Sequence, residues 1–402
     1  MKRPSHFADA EFLLDGFDHV ETIADFHERL QLGIPLKVKL GIDPTSPDLH
    51  LGFMVVLNKL ARFASAGHAV TLIIGDFTAA IGDPSGRNAM RPPLSREQIE
   101  SNMQTYREQA GKILDLERVA IRYNSEWLGG LTFADIVRLV SHATVAQMLE
   151  RNDFSKRYAQ GTPISLHELL YPVAQAYDSI AVQSDVELGG TDQLFNLLLG
   201  RQYQRDYGQR PQICATVPLL VGLDGVKKMS KSTGNYVGIA EDAQTQFGKL
   251  MSISDALMPP YARFAAFRSQ AETDALSAAL LGGKANPMES KKALAQEIVA
   301  RYHGEDAARA AREFFERTVQ RREIPEADIP EIPLGESSRV ADVMVKAGFA
   351  TSKRAAERLI SGNGVKVDGI VVVDSRAPWS SSVPAVLSVG SRKFVRVLPN
   401  ER

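Results

Sequence analysis

The pattern of apolar and polar residues predicts a parallel sheet near the start of the chain. Residues 37–42 and 70–75 are short apolar runs, and residues 49–66 between them carry apolar side chains at helical spacing. Strand, helix and strand within about 40 residues form a βαβ unit, whose parallel strands are covered on both faces. We therefore expect an α/β domain that binds its ligands beyond the carboxyl ends of these strands.

Loops with turn-forming residues follow both predicted strands. Residues 43–48 read Asp-Pro-Thr-Ser-Pro-Asp, and residues 75–87 form a glycine-rich turn. A further apolar run at residues 217–221 predicts a strand that leads into a lysine-rich loop. These loops are where we expect the ligand-binding residues of the sheet.

Much of the chain up to residue 322 follows a helical pattern. Residues 95–200 and 245–322 are mainly helical in their spacing of apolar side chains. Asn286 and Pro287 have the form of a helix start, because proline is tolerated in the first turn, where its missing N–H costs nothing. The α/β domain is therefore expected to contain a helical insertion and to be followed by a helical domain.

The last part of the chain predicts a small α+β domain. Prolines recur through residues 324–335, which favours a semi-rigid linker over a helix. Residues 340–347 and 353–360 predict two short helices, and residues 365–373 predict two strands around an Asp-Gly turn. The expected parts of the chain are an α/β domain, a helical domain, a linker and an α+β domain, at residues 1–222, 223–322, 323–337 and 338–402.

Composition and charge narrow the possible classes of protein. The chain has 402 residues, 44% of them hydrophobic, and a formal net charge of −1, so any surface that binds nucleic acid has to be local. Basic residues concentrate after position 338, where eleven Lys or Arg stand against five Asp or Glu. We find no signal-peptide core and no run of about 18 apolar residues that could cross a membrane. With a single cysteine, Cys214, there is no internal disulfide or zinc site, and we expect a soluble, cytoplasmic protein.

His50, Leu51 and Gly52 open the helix predicted at residues 49–66. Backbone N–H groups at a helix start favour phosphate, an imidazole can donate to phosphate oxygens, and a glycine lets a flat base approach the backbone. Alone, the pattern is weak, because a histidine beside a helix start is more often a cap or a surface residue. It gains weight from a second motif later in the chain.

That second motif is the lysine-rich loop at residues 227–235, where two lysines can reach a triphosphate. Most loops of this kind are solvated turns. Here His50-Leu51-Gly52-Phe53 and Lys228-Met229-Ser230-Lys231-Ser232 occur in the order of the two signature sequences of class I aminoacyl-tRNA synthetases, and the chain resembles that class. The absence of a Walker A sequence and of Gly-x-Gly-x-x-Gly after the first strand argues against a P-loop NTPase or a dinucleotide dehydrogenase.

Over nearly its whole length the chain resembles the bacterial-type tyrosyl-tRNA synthetases. The resemblance implies a Rossmann-like catalytic domain, in which the tyrosine carboxylate attacks the α-phosphate of ATP and the tyrosyl group then passes from the adenylate to the 3′ end of tRNA(Tyr). His50, Lys228 and Lys231 would counter the charge that builds on the phosphates as pyrophosphate leaves. The residues implied to contact ATP are Thr45, His50, Gly52, Phe53, Gly190, Asp192, Lys228, Met229 and Lys231.

Tyr171, Gln175 and Asp178 lie at positions i, i+4 and i+7, so they share one face of a helix. The resemblance implies that Tyr171 and Gln175, with Asp83, hold the ammonium group of tyrosine, and that Asp178 accepts the phenolic proton. Such an aspartate rejects phenylalanine, because an unpaired buried carboxylate costs about 1–3 kcal/mol or more. The residues implied to contact tyrosine are Gly41, Asp43, Asp83, Tyr171, Gln175, Asp178 and Gln193.

Residues 189–193 match another family motif, in which Asp192 binds the ribose and Gln193 lies near the tyrosine carboxylate. On their own they predict a tight turn entering a helix with Asp192 as its cap. Two positions depart from the family pattern. Phe53 replaces the usual second histidine, so either ATP is held differently or the chain is a slower paralogue; we expect activity to survive. Lys39 stands where several relatives have a tyrosine that shares the substrate hydroxyl.

The basic tail resembles an S4-type RNA-binding module, with Lys353, Arg354 and Arg358 at helix spacing and Lys366 on the following hairpin. Clustered cations neutralise phosphates and make binding dependent on salt. The resemblance also implies that the helical domain contacts the anticodon stem, that Mg²⁺ accompanies ATP, and that the protein is a homodimer. No carboxylate pair marks a dedicated metal site.

Two other functions remain open at the level of the sequence. The first is a related enzyme that activates another aromatic amino acid, most plausibly tryptophan, or that modifies something other than tRNA. An indole has no hydroxyl to pair with Asp178, so activity with each aromatic amino acid would separate the two. The second is a non-catalytic RNA-binding protein that retains an S4 module, which an ATP-exchange assay would separate from an enzyme.

Overall fold

The computed structural model describes residues 9–83, 94–320, 330–334, 339–374, 376–379, 383–390 and 393–399. The chain divides into two compact units, Met1–Glu305 and Asp306–Arg402. None of the helices in the described ranges combines the length and apolar character that crossing a bilayer requires.

The first unit is built on a six-stranded sheet. Its strands are β1 (His19–Glu21), β2 (Lys37–Ile42), β3 (Ala69–Ile74), β4 (Val119–Tyr123), β5 (Val186–Gly190) and β6 (Ile213–Val217). They lie in the order β1-β6-β5-β2-β3-β4, and neighbours are parallel except β1 with β6. The chain moves outward from β2 through β3 to β4 and then returns to the other side of β2 with β5. Ligands of open α/β sheets bind at such a reversal point, beyond the carboxyl ends of the strands.

Helices surround this sheet and continue beyond it. They are α1 (Ala10–Leu14), α2 (Ile23–Gln31), α3 (Leu51–Ser65), α4 (Asp76–Ile81), α5 (Arg96–Gly111), α6 (Ser125–Leu128), α7 (Phe133–Val140), α8 (Val145–Met148), α9 (Asn152–Ala159), α10 (Leu166–Val182), α11 (Leu194–Asp206), α12 (Ala243–Met251), α13 (Met258–Phe264), α14 (Gln270–Leu281) and α15 (Pro287–His303). The strands carry the centre of the core, since Val38, Leu40 and Leu72 are at most 2% exposed.

The first βαβ unit and the later helix start confirm the prediction from the sequence. Strand β2 has the predicted bounds, and α3 and β3 agree with theirs to within two residues. Helix α15 begins at Pro287, with the Asn286 side chain accepting from two backbone N–H groups of the first turn. The spacing of apolar residues and the position of the proline were therefore enough to predict these elements from short stretches of sequence.

Three predicted elements of the first unit are wrong in part. The strand expected at residues 217–221 is β6, which ends at Val217, because Pro218 has no N–H with which to continue the ladder. The mainly helical stretch at residues 95–200 also contains β4 and β5. The glycine-rich turn contains α4, and its last residues, 84–87, lie outside the described residues.

The second unit holds all but the first residue of α16 (Glu305–Phe315). It also contains β7 (Glu331–Pro333), α17 (Val340–Lys346), α18 (Lys353–Ser361), β8 (Val365–Val367), β9 (Ile370–Val371), β10 (Ala385–Val389) and β11 (Lys393–Leu398). The strand order is β7-β11-β10-β8-β9, with β7 parallel to β11. Both predicted helices and the first hairpin are present, and Met344, Ile360 and Leu387 form part of their core.

One segment expected in the linker belongs to this sheet. Strand β7 pairs with β11, with Leu334 N donating to Leu398 O and Arg396 N donating to Pro330 O, both at 2.8 Å. A proline carbonyl can still accept a hydrogen bond, so proline is tolerated on an edge strand such as β7. The proline spacing correctly excluded a helix here, but it did not reveal the strand pairing.

Candidate active site

The candidate site lies where β2, β3 and β5 end. Two sets of side chains meet there. The inner cluster is formed by six side chains. Three of them lie on α10 and the others follow β2, α4 and β5; they are Asp43, Asp83, Tyr171, Gln175, Asp178 and Gln193. The outer cluster is formed by His50, Asp192, Lys228 and Lys231, at the start of α3, after β5 and on the lysine loop at residues 227–235.

Asp178 is the most enclosed carboxylate of the inner cluster. It is 4% exposed, and its Oδ1 accepts from Trp127 Nε1 at 2.7 Å while its Oδ2 lies 3.5 Å from Asn124 Nδ2. Burial raises the pKa of this carboxyl to about 7, against the opposing effects of Lys39 and of the two donors. Asp178 is therefore a buried acceptor whose charge depends on what enters beside it.

Tyr171 and Asp43 connect α10 to the end of β2. The Tyr171 hydroxyl donates to Asp43 Oδ2 at 3.0 Å, and Thr78 Oγ1 donates to Asp43 Oδ1 at 2.7 Å. Burial and the neighbouring carboxylates raise the pKa of Tyr171 well above its ordinary value, so the phenol remains a donor. Gly75 is required beside them, because a Cβ there would collide with the side chains of Asp43 and Thr78.

A chain of amides and carboxylates lines the other end of the inner cluster. Asn196 Nδ2 donates at 2.9 Å to both Gln175 Oε1 and Gln193 Oε1, and Gln193 Nε2 donates to Asp83 Oδ2 at 2.8 Å. Arg151, which is 5% exposed, reaches Asp83 at 3.2 Å and Asn196 at 3.0 Å. The result is a polar wall with several acceptor oxygens, which suits a ligand with a cationic end.

Lys39 lies behind this wall and forms an ion pair with Glu187 at 3.0 Å, with both side chains 1% exposed. Glu187 Oε1 also accepts from Gln175 Nε2 at 3.0 Å. Gly41, which follows on β2, has open space where a Cβ would stand. Lys39, Gly41 and Glu187 therefore lie beside the inner cluster, on strands β2 and β5.

His50 caps α3 and belongs to the outer cluster. Its Nδ1 accepts from Gly52 N at 3.2 Å, so the neutral ring carries its proton on Nε2 and offers an N–H donor. Burial, followed by the charges of Lys231 and Lys228, lowers the pKa of His50 to about 3. The ring of Phe53 lies 4.6 Å from the imidazole, centroid to centroid. From the sequence, His50 was either a helix cap or a phosphate donor. The geometry allows both roles, because Nδ1 caps the helix while Nε2–H remains a donor.

The lysine loop is held against the start of α3. Leu51 N donates to Val237 O at 3.1 Å and Ile239 N donates to Leu49 O at 2.9 Å. Within the loop, Asn235 Oδ1 accepts from Ser230 N at 2.8 Å. The segment that directly follows the loop, residues 237–239, therefore pairs with the start of α3, which brings the polar side chains of both signature sequences into one region.

Each signature lysine has a partner in the structure, Lys228 within the outer cluster and Lys231 on the loop after β2. Lys228 Nζ lies 2.6 Å from Asp192 Oδ2, and Lys231 Nζ lies 2.7 Å from Ser46 Oγ and also contacts the carbonyl of Asp48. Burial lowers the pKa of Lys231 to about 8. Asp192 was expected to cap a helix, but the 3-10 helix Thr191–Gln193 intervenes and the Asp192 carboxylate binds Lys228 instead.

The remaining residues assigned to ATP surround this cluster. Met229 is 5% exposed and lies next to Gly52. A Cβ added to Gly52 would lie 3.0 Å from the His50 ring. A Cβ on Gly190 would lie 2.8 Å from Asp192 Oδ1. Thr45 is half-buried in the loop after β2. Gly52 and Met229 therefore lie beside His50 and Gly190 lies beside Asp192, while the assignment of these residues to ATP stays a prediction.

Several residues of the site escaped the reasoning from sequence. They are Ser46, Thr78, Asn124, Trp127, Arg151, Glu187 and Asn196. Isolated polar residues on helices and loops carry no motif, and only the fold brings them together. The one available signal was Glu187, a charged residue in the predominantly apolar run that forms β5.

In the second unit, the four residues assigned to RNA are exposed. Lys353, Arg354 and Arg358 lie on α18, and Lys366 lies on β8. Lys353 also pairs with Asp342 at 2.7 Å, although its side chain is 73% exposed. Their positions leave all four cations accessible to a polyanion.

Two protein-family models match this chain. The family model of class I tRNA synthetases (W and Y) matches residues 32–320, and the S4 domain model matches residues 338–376. Among similar structures are the tyrosyl-tRNA synthetase of Archaeoglobus fulgidus complexed with L-tyrosine (TM-score 0.63, 19% identity, 75% of this chain and 98% of that chain) and that of Aeropyrum pernix (TM-score 0.62, 19% identity, 76% and 98%). These two likenesses support the fold, and the predicted α/β class is confirmed.

Similarity in sequence is much higher to curated bacterial proteins. The tyrosine–tRNA ligase of Ralstonia nicotianae is 51% identical, covering 95% of this chain and 98% of the relative. That of Aquifex aeolicus is 50% identical, covering 92% and 93%. This chain belongs to the tyrosine–tRNA ligases, within the class I tRNA synthetases.

Proposed function

We propose that this chain activates L-tyrosine with ATP to form tyrosyl-adenylate and pyrophosphate, and then transfers the tyrosyl group to the 3′ end of tRNA(Tyr). The observation that carries the proposal is that α10 carries both Asp178, a buried carboxylate, and Gln175, whose side-chain oxygen belongs to the wall of acceptor oxygens. Tyrosine has a hydroxyl donor at one end and an ammonium donor at the other. The inner cluster therefore complements both ends.

The phenol of tyrosine would donate to Asp178, and its ammonium group would bind Tyr171, Gln175 and Asp83. Gly41, Asp43 and Gln193 complete the tyrosine site. A ligand held at both ends presents its carboxylate in one orientation, and such positioning lowers the entropic part of the barrier to attack on the α-phosphate. Tryptophan and phenylalanine would leave Asp178 buried without its donor, which disfavours both.

The outer cluster would bind ATP. His50 Nε2–H, Lys228 and Lys231 are donors for the β- and γ-phosphates, where negative charge develops as pyrophosphate departs. Thr45, Gly52, Phe53, Gly190, Asp192 and Met229 would line the remainder of the nucleotide site. No covalent bond to the protein is needed, so these residues act through position and charge.

Mg²⁺ would enter with ATP, held by its phosphates. The described residues contain no group of three or more His, Cys, Asp or Glu placed to bind a metal ion. Because Mg²⁺ commonly keeps several waters and uses substrate phosphates as ligands, such a group is not required.

Transfer would involve the rest of the chain, in the cytoplasm, where tRNA is charged. We assign the anticodon stem to the helical domain at residues 223–322 and a further part of tRNA(Tyr) to Lys353, Arg354, Arg358 and Lys366. Exposed cations such as these bind phosphates in a salt-dependent way.

A homodimer is part of this proposal. Phe133 and Val137 on α7 are 82% and 50% exposed, and Leu166 and Leu170 on α10 are 82% and 36% exposed. Each pair is spaced i, i+4, so each forms an apolar stripe on its helix. Exposed apolar surface of this kind is typical of protein interfaces, and a second copy of the chain is our proposed partner. Sedimentation should give twice the 44.0 kDa of one chain, and Phe133→Asp with Leu166→Asp should reduce it.

Charging of tRNA(Tyr) with radiolabelled tyrosine tests the whole proposal. We expect aminoacylation by the wild-type chain and weaker aminoacylation by the variant Lys353→Ala with Arg354→Ala. Tyrosine-dependent pyrophosphate exchange should be unchanged in that variant, because activation does not involve the RNA. Equal loss of both activities would contradict the division of roles, and no charging by folded wild-type protein would refute the function.

A further inference from the structure

Lys39 and Glu187 form a buried ion pair that binds neither substrate in the proposed function. The residues stand directly opposite each other on the neighbouring strands β2 and β5, 3.0 Å apart and each 1% exposed. A buried pair of this kind is often no more stable than apolar residues of the same volume, because removing two charges from water is costly. Stability alone is therefore a weak explanation for the pair.

Glu187 is surrounded by four donors from three different parts of the fold. It accepts from Lys39 on β2, Gln175 and Ser179 on α10, and Gln212 just before β6. Helix α11 approaches closely at Gly200, where a Cβ would lie 2.7 Å from Ser179 Oγ and 2.8 Å from Gln212 Nε2. An ionised carboxylate only accepts hydrogen bonds, so every group facing it must point a hydrogen at it.

That requirement fixes the orientation of the Gln175 amide. Gln175 Nε2 donates to Glu187 at 3.0 Å, which turns Oε1 away from Glu187 toward Asn196 Nδ2, at 2.9 Å. An ammonium group has donors and no acceptor, so it needs an oxygen from Gln175 and not the NH₂ group. Lys39 balances the charge that Glu187 would otherwise leave unpaired in the interior.

We propose that Lys39 and Glu187 are a positioning pair, which fixes the Gln175 amide so that its oxygen receives the ammonium group of the amino-acid substrate. The pair acts through Gln175 and does not touch the substrate. The inference rests on the proposed function, because it explains how the Gln175 oxygen comes to face the ammonium group of tyrosine.

The test replaces the whole pair, in the variant Lys39→Met with Glu187→Met, and compares it with wild-type protein. Two apolar residues of similar volume should leave the fold intact. Lys39 lowers the pKa of Asp178 more strongly than Glu187 raises it, so removing both charges raises that pKa, and both proteins are compared at a pH well above 7, where the Asp178 carboxyl stays ionised. In tyrosine-dependent pyrophosphate exchange we expect the KM for tyrosine to rise at least about tenfold. This is the effect of losing one charge-assisted hydrogen bond, from the ammonium group to the Gln175 oxygen. The KM for ATP should stay within about twofold, since the outer cluster is untouched.

Two inhibitors locate the effect within the tyrosine molecule. Tyramine keeps the ammonium group and should lose affinity by the same factor as tyrosine. The analogue 3-(4-hydroxyphenyl)propanoate lacks the ammonium group and should bind the variant and the wild type equally. Equal weakening of both inhibitors would show a general distortion of the pocket and would overturn the proposal, as would a KM for tyrosine that does not change.

Arg157→Met with Glu168→Met is the matched control, since it removes another ion pair whose side chains are 1% and 4% exposed. It should leave the KM for tyrosine unchanged. If the Met pair does not fold, Lys39→Met with Glu187→Gln tests the same point, because an amide at position 187 no longer dictates the orientation of Gln175. An unchanged KM in that variant would equally overturn the proposal. Failure of the wild type to exchange with tyrosine would instead refute the proposed function.

Discussion

The inner and outer clusters differ in how their polar groups are held. In the inner cluster, Tyr171 and Asp178 are 6% and 4% exposed and bind fixed donors or acceptors of the fold. In the outer cluster, Lys228 is 38% exposed and paired with Asp192, and Lys231 is held by Ser46. ATP binding must replace the contacts of Lys228 and Lys231, whereas tyrosine would meet side chains that are already held in place by hydrogen bonds of the fold.

The difference leads to an expectation for kinetics. Defects in the inner cluster should change the KM for tyrosine, because they alter binding of the ground state. Defects in the outer cluster should change kcat, because charge develops on the phosphates only as the bond breaks. Substitutions in each cluster test this separation.

Lys231→Met should lower the kcat of pyrophosphate exchange by about 100- to 1000-fold, the usual cost of removing one donor to a developing charge. The KM for tyrosine should stay within about twofold, since no described contact joins Lys231 to the inner cluster. Lys227→Met, at the exposed neighbouring lysine, is the control and should have little effect. A large rise in the KM for tyrosine would break the separation between the clusters.

Asp178→Asn should reduce kcat/KM for tyrosine by about 10- to 100-fold, mainly through KM, because the charged acceptor of the phenol is lost. The amide can still accept from Trp127, so the fold should persist. Activity with phenylalanine in the same variant is the internal control. It should not fall, since the phenyl ring never used the carboxylate. A parallel loss with both amino acids would indicate damage to the pocket.

The pH profile of kcat/KM should be bell-shaped, with limbs near pH 7 and pH 8. The pKa of Asp178 is raised to about 7, so its acceptor form is present above that pH. The pKa of Lys231 is lowered to about 8, so its positive charge is present below that pH. His50, with a pKa lowered to about 3, stays neutral across this range and adds no limb.

Lys231→Arg sharpens this prediction. A guanidinium keeps its charge at any pH at which the protein is folded, so the alkaline limb should move upward while the acidic limb stays. Measuring the profile in both proteins checks it. An alkaline limb that stays near pH 8 in the variant would assign it to another group.

Phe53→His should have the smallest effect. The ring packs 4.6 Å from the His50 imidazole, centroid to centroid, and an imidazole there could add a donor for ATP. We expect kcat/KM for ATP to rise by about 2- to 10-fold, the value of one partly exposed hydrogen bond. Phe53→Leu is the matched control and should bring no gain. A fall with histidine would show that the chain has adapted its ATP site to the phenyl ring.

Local sequence was enough to predict the elements that carry motifs. Strand β2 and helix α3 follow from apolar period and turn residues over short windows. Strand β4 is a short edge strand with three of its five residues exposed, so its apolar residues show no strand alternation that would separate it from its helical surroundings. Strand β10 escaped prediction in a similar way, because its pairing with β8 and β11 is long-range information.

The same division holds for the site. His50, Lys228 and Lys231 were predicted because each occurs in a signature, and Asp178 because it shares a helix face with Gln175. Their partners are far away in sequence: Trp127 lies 51 residues from Asp178, and Glu187 is brought to Lys39 only by strand register. The helix cap predicted at Asp192 was wrong for the same reason, since the partner of its carboxylate lies on the lysine loop, 36 residues away.

Selection of tyrosine by a buried carboxylate is tested most directly by pyrophosphate exchange with tyrosine, phenylalanine and tryptophan in turn, using purified wild-type protein. Exchange should be rapid with tyrosine and lower by at least about 10- to 100-fold in kcat/KM with the other two, because each leaves Asp178 buried and unpaired. Comparable exchange with phenylalanine or tryptophan would contradict the assignment of Asp178 as the group that recognises the phenol.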